Sequence, residues 1–249
     1  MKLSHVMVSE TGLKRTNNED AVAFVVPDKP WIARSMGALA VVSDGMGGYE
    51  RGEKASAMVV EHLSKTYFKE VGQPEEKLRQ AAIQVNNAVV MEGAASSQKM
   101  GATCTAIAIL PDVLYLMHIG DSRCYIFQNA NLTQVTNDHT AANEMAQSVS
   151  LRNSEQTLLF NPHALTKAMG IKLSSGCQAD VFSLKNTLQS GDRIVLCSDG
   201  VYLHMSDAEL RDLLLQRLSL KETSDKLVKT ILKRGAQDNF SFIIVEVQT

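Results

Sequence analysis

Nine short runs of apolar, largely β-branched residues, bounded by Gly, Asp or Asn, set the strongest limit on what this chain can fold into. They cover residues 22–26, 39–43, 103–110, 113–119, 124–127, 132–136, 181–184, 193–198 and 240–247. Several are apolar nearly throughout instead of alternating, as strands are when both faces are covered or when one sheet packs on another. Pro111-Asp112 reads as a hairpin turn between two of them. Helical periodicity comes in pairs between these runs. Ala55, Met58, Val59 and Leu63 form one stripe, and Leu78, Ala81, Ala82, Val85 and Val89 form another. Ser206 and Glu209 make a capping box before Leu210, Leu213 and Leu214, and a further helix carries Leu227, Val228, Ile231 and Leu232. This order lacks the regular β-α-β-α rhythm of a doubly wound sheet, so the expectation is an α+β fold with mostly antiparallel sheets and helices outside.

No internal repeat, Gly/Ser linker or block of like charge marks a boundary, and residues 1–249 are expected to form a single domain. The segment 140–161 is polar and weakly periodic; it reads as a surface excursion, a flap or lid with one short helix. With 25 basic against 27 acidic side chains, the net charge of -2 argues against a nucleic-acid partner. No stretch approaches the roughly 20 apolar residues of a membrane span, and the first residues lack the apolar core of a signal peptide. Cys104, Cys124, Cys177 and Cys197 are scattered without a CxxC pair, which suits reduced thiols. A soluble, cytoplasmic protein without a membrane partner is expected.

The acids fall at strand ends. Val41-Val42-Ser43-Asp44-Gly45 and Leu196-Cys197-Ser198-Asp199-Gly200 share one design, an apolar strand followed by Ser-Asp-Gly. Gly120-Asp121 ends another run, Asp238-Asn239 precedes the last, and Glu19-Asp20 precedes the one at 22–26. A single Asp-Gly is most simply a turn. Five strand ends carrying carboxylates, with glycines that let the backbone approach, call for hard divalent cations such as Mg²⁺ or Mn²⁺. Zinc is disfavoured, because no His/Cys cluster has its spacing. Arg15, four residues before Glu19, is the side chain a phosphate group would need beside such a centre. Among six histidines, His139 is the best placed for a role near the site, and Trp31 is expected as a packed anchor.

Taken in order, these segments resemble the metal-dependent protein Ser/Thr phosphatases of type 2C, of the bacterial kind. Arg15-Thr-Asn-Asn-Glu-Asp20, Asp44-Gly-Met-Gly-Gly48 with Gly52-Glu-Lys-Ala-Ser56, and Met100-Gly-Ala-Thr-Cys-Thr105 carry the first part of the likeness. Gly120-Asp-Ser-Arg123, Asp138-His-Thr140, Leu165-Thr-Lys-Ala-Met-Gly170, Ser198-Asp-Gly200 and Asp238-Asn239 complete it. The resemblance implies a central β-sandwich of two mainly antiparallel sheets flanked by helix pairs. It implies two Mn²⁺ or Mg²⁺ ions, with Asp44 between them, the Gly45 carbonyl on one, Asp199 and Asp238 on the other, and Asp20 acting partly through water. Asp44, Asp199 and Asp238 would then be catalytic, and Arg15 would bind the substrate phosphate. The implied reaction is direct hydrolysis of phosphoserine or phosphothreonine on proteins by a metal-bridged water. Its implied partners are phosphoprotein substrates and a cognate bacterial Ser/Thr kinase, and the protein is expected to be a monomer.

Four positions depart from the pattern. Met46 stands where some relatives place a histidine as general acid, and Tyr49 replaces a histidine after the glycines. Ser241 stands where threonine is common. Some relatives hold a third metal through the Asp of Gly-Asp-Ser-Arg and an acid four residues after the Asp199 position; here Asp121 meets the first requirement and Leu203 fails the second. Two rival readings are a catalytically silent family member acting as a binding scaffold, and a phosphomonoesterase for small molecules. The first is weakened because Asp20, Asp44, Asp199 and Asp238 are all present.

Overall fold

The computed structural model describes residues 1–46, 51–69, 71–147, 161, 164–171, 177–185 and 188–248. Among them, ten strands form two antiparallel sheets of five. One sheet runs in the order β1 (Lys2–Glu10), β10 (Phe240–Gln248), β9 (Arg193–Cys197), β6 (Arg123–Gln128) and β7 (Asn131–Gln134). The other runs β2 (Asp20–Val25), β3 (Ala38–Asp44), β4 (Cys104–Ile109), β5 (Val113–Ile119) and β8 (Asp180–Lys185). On the outer face of the second sheet lie α2 (Gly52–Tyr67) and α3 (Pro74–Ser96); on that of the first lie α5 (Asp199–Tyr202), α6 (Asp207–Leu215) and α7 (Leu220–Lys233). The helix pairs thus enclose a sandwich.

The unbroken apolar runs follow from this layering, because each central strand is covered twice. In β3, Leu39 and Val41 face the helices, whereas Ala40 and Val42 face the opposite sheet. In β4, Ala106 and Ala108 face the helices and Ile107 and Ile109 face inward. The alanines admit α2 and α3 close to the sheet; the isoleucines fill the space between sheets. β9 and β10 repeat the division, with Val195, Phe240, Phe242 and Ile244 outward and Ile194, Leu196, Ile243 and Val245 inward. Cys104, Cys124 and Cys197 are free and buried within these layers.

Three elements were not expected: β1, α1 and the single turn α5. β1 alternates polar and apolar residues at a sheet edge, where one side is left half-covered, so it carries no apolar run to announce it. The run at 22–26 is therefore the second strand, and Asp20 is its first residue. α1 (Pro30–Met36) starts with Pro and is too short for a periodic stripe. Trp31 within it is 53% exposed, with the Lys29 ammonium 5.9 Å from its ring centre, so it is not the packed anchor expected. Met36 fills that place, and its carbonyl accepts a hydrogen bond of 2.7 Å from the Tyr67 hydroxyl. The capping box at Ser206 and Glu209 is present, and Ser219 with Glu222 makes a second one ahead of α7. In the segment expected as a flap, α4 (Ala141–Gln147) is the short helix; the stretch 148–160 lies outside the described residues, as does Tyr49. Among the described residues no helix is long and apolar enough to cross a membrane.

Candidate metal centre

Strand register assembles the acids at one end of the sandwich. β2 and β3 pair so that Asp20 stands opposite Asp44. The Asp44 amide donates to Thr103 Oγ1 (2.9 Å), and its carbonyl accepts from the Thr103 amide (2.8 Å), which fixes the strand end against β4. Ser198, at the end of β9, ties the two sheets together. Its hydroxyl donates to Asp20 Oδ2 (2.7 Å) and accepts from the Ser241 amide (3.0 Å). Asp199 opens α5 immediately afterwards. Gly45 is packed so that a Cβ would lie 2.4 Å from the Gly52 carbonyl oxygen, which only glycine permits.

Asp238 comes to the same place through Asn239. The Asn239 side chain accepts from the Glu19 amide (2.9 Å) and donates to the carbonyls of Thr11 (2.9 Å) and Asn17 (2.8 Å). It thereby staples the loop carrying Arg15 to the start of β10. Arg15 Nη2 donates to Asp238 Oδ2 at 2.7 Å, and the guanidinium remains half-exposed at the rim. Gly200 packs on the same turn, and a Cβ there would sit 2.0 Å from the Asn239 carbonyl oxygen. Gly200→Ala is expected to cost about 2 kcal/mol through this overlap, seen in thermal melts as a Tm lowered by about 6 °C. It should also cut turnover, because relief of the clash displaces Asp238 from Asp199.

The acids do not tolerate one another as free anions. Burial, and then the charges of Asp20, Asp199, Asp121 and Asp238, push the Asp44 carboxyl well above the usual carboxylate range. Burial raises Asp20 to about 6 against the lowering effect of the Ser198 and Ser241 hydrogen bonds. Asp199 is raised by burial and by Asp238, and its side chain is within hydrogen-bonding reach of Asp44, a contact two ionised carboxylates would not make. Glu19 is raised by burial and by Glu53. Asp121 is raised to about 7 by burial and by Asp199 and Asp138, and the Tyr202 hydroxyl engages it. A cluster of this kind is relieved by cations.

The residues fit hard divalent ions on their chemistry. Every convergent donor is oxygen, and Asp20 Oδ1 is buried without any hydrogen-bond partner. Among the described residues no three acid, histidine or cysteine side chains already close on one point; the acids face one another in pairs, Asp20 with Asp44 and Asp44 with Asp199. Asp20, Asp44, Gly45, Asp199, Asp238 and Arg15 thus lie at the same end of the sandwich without closing into a ligand cage. Asp121 lies near them, but Leu203 adds no oxygen and its side chain is exposed. Sequence reasoning gave no role to Thr103, Ser198 or Asn239. All three lie inside the quoted motifs, yet their function is orientation, which only the partner atoms reveal.

A family model described as protein phosphatase 2C matches residues 13–241. The serine/threonine phosphatase stp of Listeria welshimeri is 28% identical over 215 residues, covering 84% of each chain. The serine/threonine protein phosphatase PstP of Mycobacterium tuberculosis is 29% identical over 248 residues, 98% of this chain and 45% of that protein's length. The crystal structure of a PstP catalytic domain in complex with two manganese ions superposes with a TM-score of 0.79 at 30% identity, covering 99% of both chains.

Proposed function

Since the chain belongs to the protein phosphatase 2C family, we propose that it is a metal-dependent phosphatase removing phosphate from phosphoserine and phosphothreonine in proteins. What supports this reading is the gathering of Asp20, Asp44, Asp199 and Asp238 at one end of the sandwich, close enough for their charges to act on one another, beside one half-exposed guanidinium. Asp44 with the Gly45 carbonyl, and Asp199 with Asp238, would hold two ions, Mn²⁺ or Mg²⁺, and Asp20 would support them. Bound there, such ions make water a nucleophile at neutral pH and offset charge on the phosphoryl oxygens. Asp121 is the remaining candidate for a third ion; Tyr202 already engages it and Leu203 contributes no ligand.

The chain's own groups divide the rest of the work. Arg15 presents a fork to the phosphate from the rim, where its pairing with Asp238 holds it in place. No thiol is available as a nucleophile, since burial pushes all four cysteines up and away from the thiolate form. A cysteine phospho-enzyme is thereby disfavoured, and direct attack by water is the route the family reading implies. Met46 has no ionisable proton to give, so the departing alkoxide would take its proton from a water held at the metal site. The substrates would be phosphoproteins written by a bacterial Ser/Thr kinase, met in the cytoplasm by a monomeric enzyme.

Chelated protein supplied with Mn²⁺ and a phosphoserine peptide tests the reading. Activity that vanishes on chelation and returns with the metal supports it; full activity in the chelated protein contradicts it. Turnover of small phosphorylated metabolites in preference to the peptide would favour a small-molecule phosphomonoesterase. Arg15→Ala is expected to raise KM for the peptide about 10- to 100-fold, the worth of one charge-assisted contact. Arg15→Lys should recover part of that loss, and steady-state kinetics on both variants checks it.

A further inference from the structure

We propose that His139 and Asp180 form a positioning pair that sets the turn Gly120-Asp121-Ser122 and, through it, the end of β3 at Asp44. The proposal rests on the phosphatase reading for its kinetic consequence and on geometry for everything else. His139 is buried and stacks on buried His118, with ring centres 4.8 Å apart. It grips Gly120 twice in opposite senses. The Gly120 amide donates to His139 Nδ1 (3.1 Å), and the His139 amide donates to the Gly120 carbonyl (2.7 Å). A backbone N–H can only donate, so Nδ1 must present its lone pair and the ring proton must lie on Nε2. That proton points at Asp180 Oδ2, 3.1 Å away on the edge strand β8. Lys167 Nζ lies 3.6 Å from Asp180 Oδ1 and 3.3 Å from His139 Nε2, so it offsets the carboxylate's charge from the same side as the ring.

From Gly120 the link runs inward. Gly120 has φ +106°, and a Cβ there would lie 2.6 Å from the Thr103 side chain, so Thr103 packs directly on the turn. Thr103 Oγ1 lies 2.7 Å from Ser122 Oγ, and it accepts the Asp44 amide. An acceptor at position 139, aimed by Asp180, therefore clamps the turn on one side, and Thr103 clamps it on the other. The chemistry resembles that of any ligand-orienting histidine, whose tautomer is chosen by the partner on its second nitrogen.

The experiment combines kinetics with nitrogen NMR on the Mn²⁺-loaded protein. Asp180 is partly exposed at an edge strand, so its variants should keep their melting temperature and report on function. Asp180→Ala is expected to lower kcat about 10-fold with KM unchanged, and Asp180→Asn, which still offers an oxygen to Nε2–H, should restore most of that loss. His139→Ala should lower kcat at least as far, and exchange of the Gly120 amide should quicken in it. The ¹⁵N spectrum of the parent should show His139 protonated on Nε2 alone. Equal losses in Asp180→Asn and Asp180→Ala, unaltered kcat in both Ala variants, or a proton on Nδ1 would each overturn the proposal. If the parent proves inactive on phosphopeptides, the functional reading fails by itself, and the tautomer and Gly120 exchange still decide whether the pair exists.

Discussion

Replacing Asp44 by Asn is expected to cut kcat on a phosphopeptide at least about 10³-fold while leaving the chelated protein as stable as the parent or more so. The two effects have one origin. Asp44 is buried against Asp20 and Asp199, and the repulsion that raises its carboxyl is a cost that the metal-free fold carries. An amide of the same shape removes that charge and keeps the backbone bonds to Thr103. It also removes an anionic ligand from the place where both ions would be held. Thermal melts in chelator, set beside activity with saturating Mn²⁺, separate the two consequences. Activity within tenfold of the parent, or a chelated variant that melts well below it, would show that Asp44 is a structural residue only.

Manganese should raise the melting temperature, and by more at pH 7.5 than at pH 5.5. Asp20, raised to about 6, and Asp121, raised to about 7, bind more protons in the folded chain than in the unfolded one between about pH 4 and 7. Stability of the chelated protein is therefore lost as pH rises through that window, on the order of 5 kcal/mol when both are ionised. Cations that fill the cluster cancel the loss. Two sites each saturated at about 100-fold over Kd contribute about 5 kcal/mol, or a Tm gain on the order of 15 °C at neutral pH. His118, held far below its ordinary value by burial, also makes the fold sensitive to acid. That contribution is common to loaded and chelated protein, so the difference in Tm at each pH isolates the carboxylates. A gain that does not change with pH would remove the cluster as its source.

Much of this was legible in the sequence, for reasons that name its limits. Strands covered on both faces announce themselves as apolar runs, and β3, β4, β9 and β10 were all expected within a residue or two of their ends. β1 was missed because an edge strand with one half-covered face needs no such run, and α1 because seven residues hold too few turns for a period. Trp31 was misjudged because size alone does not bury a side chain; Met36 five residues later does the packing. The acids at strand ends were visible, Asp44 and Asp199 as Asp-Gly pairs and Asp20, Asp121 and Asp238 at the ends of other runs. That they meet was implied only by the family resemblance, since it depends on the register that sets Asp20 against Asp44 and on the Ser198 hydroxyl crossing between sheets. Asn239 and Thr103 orient main chain across more than fifty residues of sequence, which no local pattern encodes.

β1 and β10 lie side by side along nine residue pairs, although they are the first and last strands of the fold. During synthesis Asp20 and Asp44 emerge nearly two hundred residues before Asp238 and its staple Asn239. Pairings of such sequence separation are the slow ones to form. The acids of the site are therefore complete only once β10 has docked between β1 and β9, and a chain truncated before Asp238 would lose the last acid together with the strand that joins β1 to the rest of its sheet.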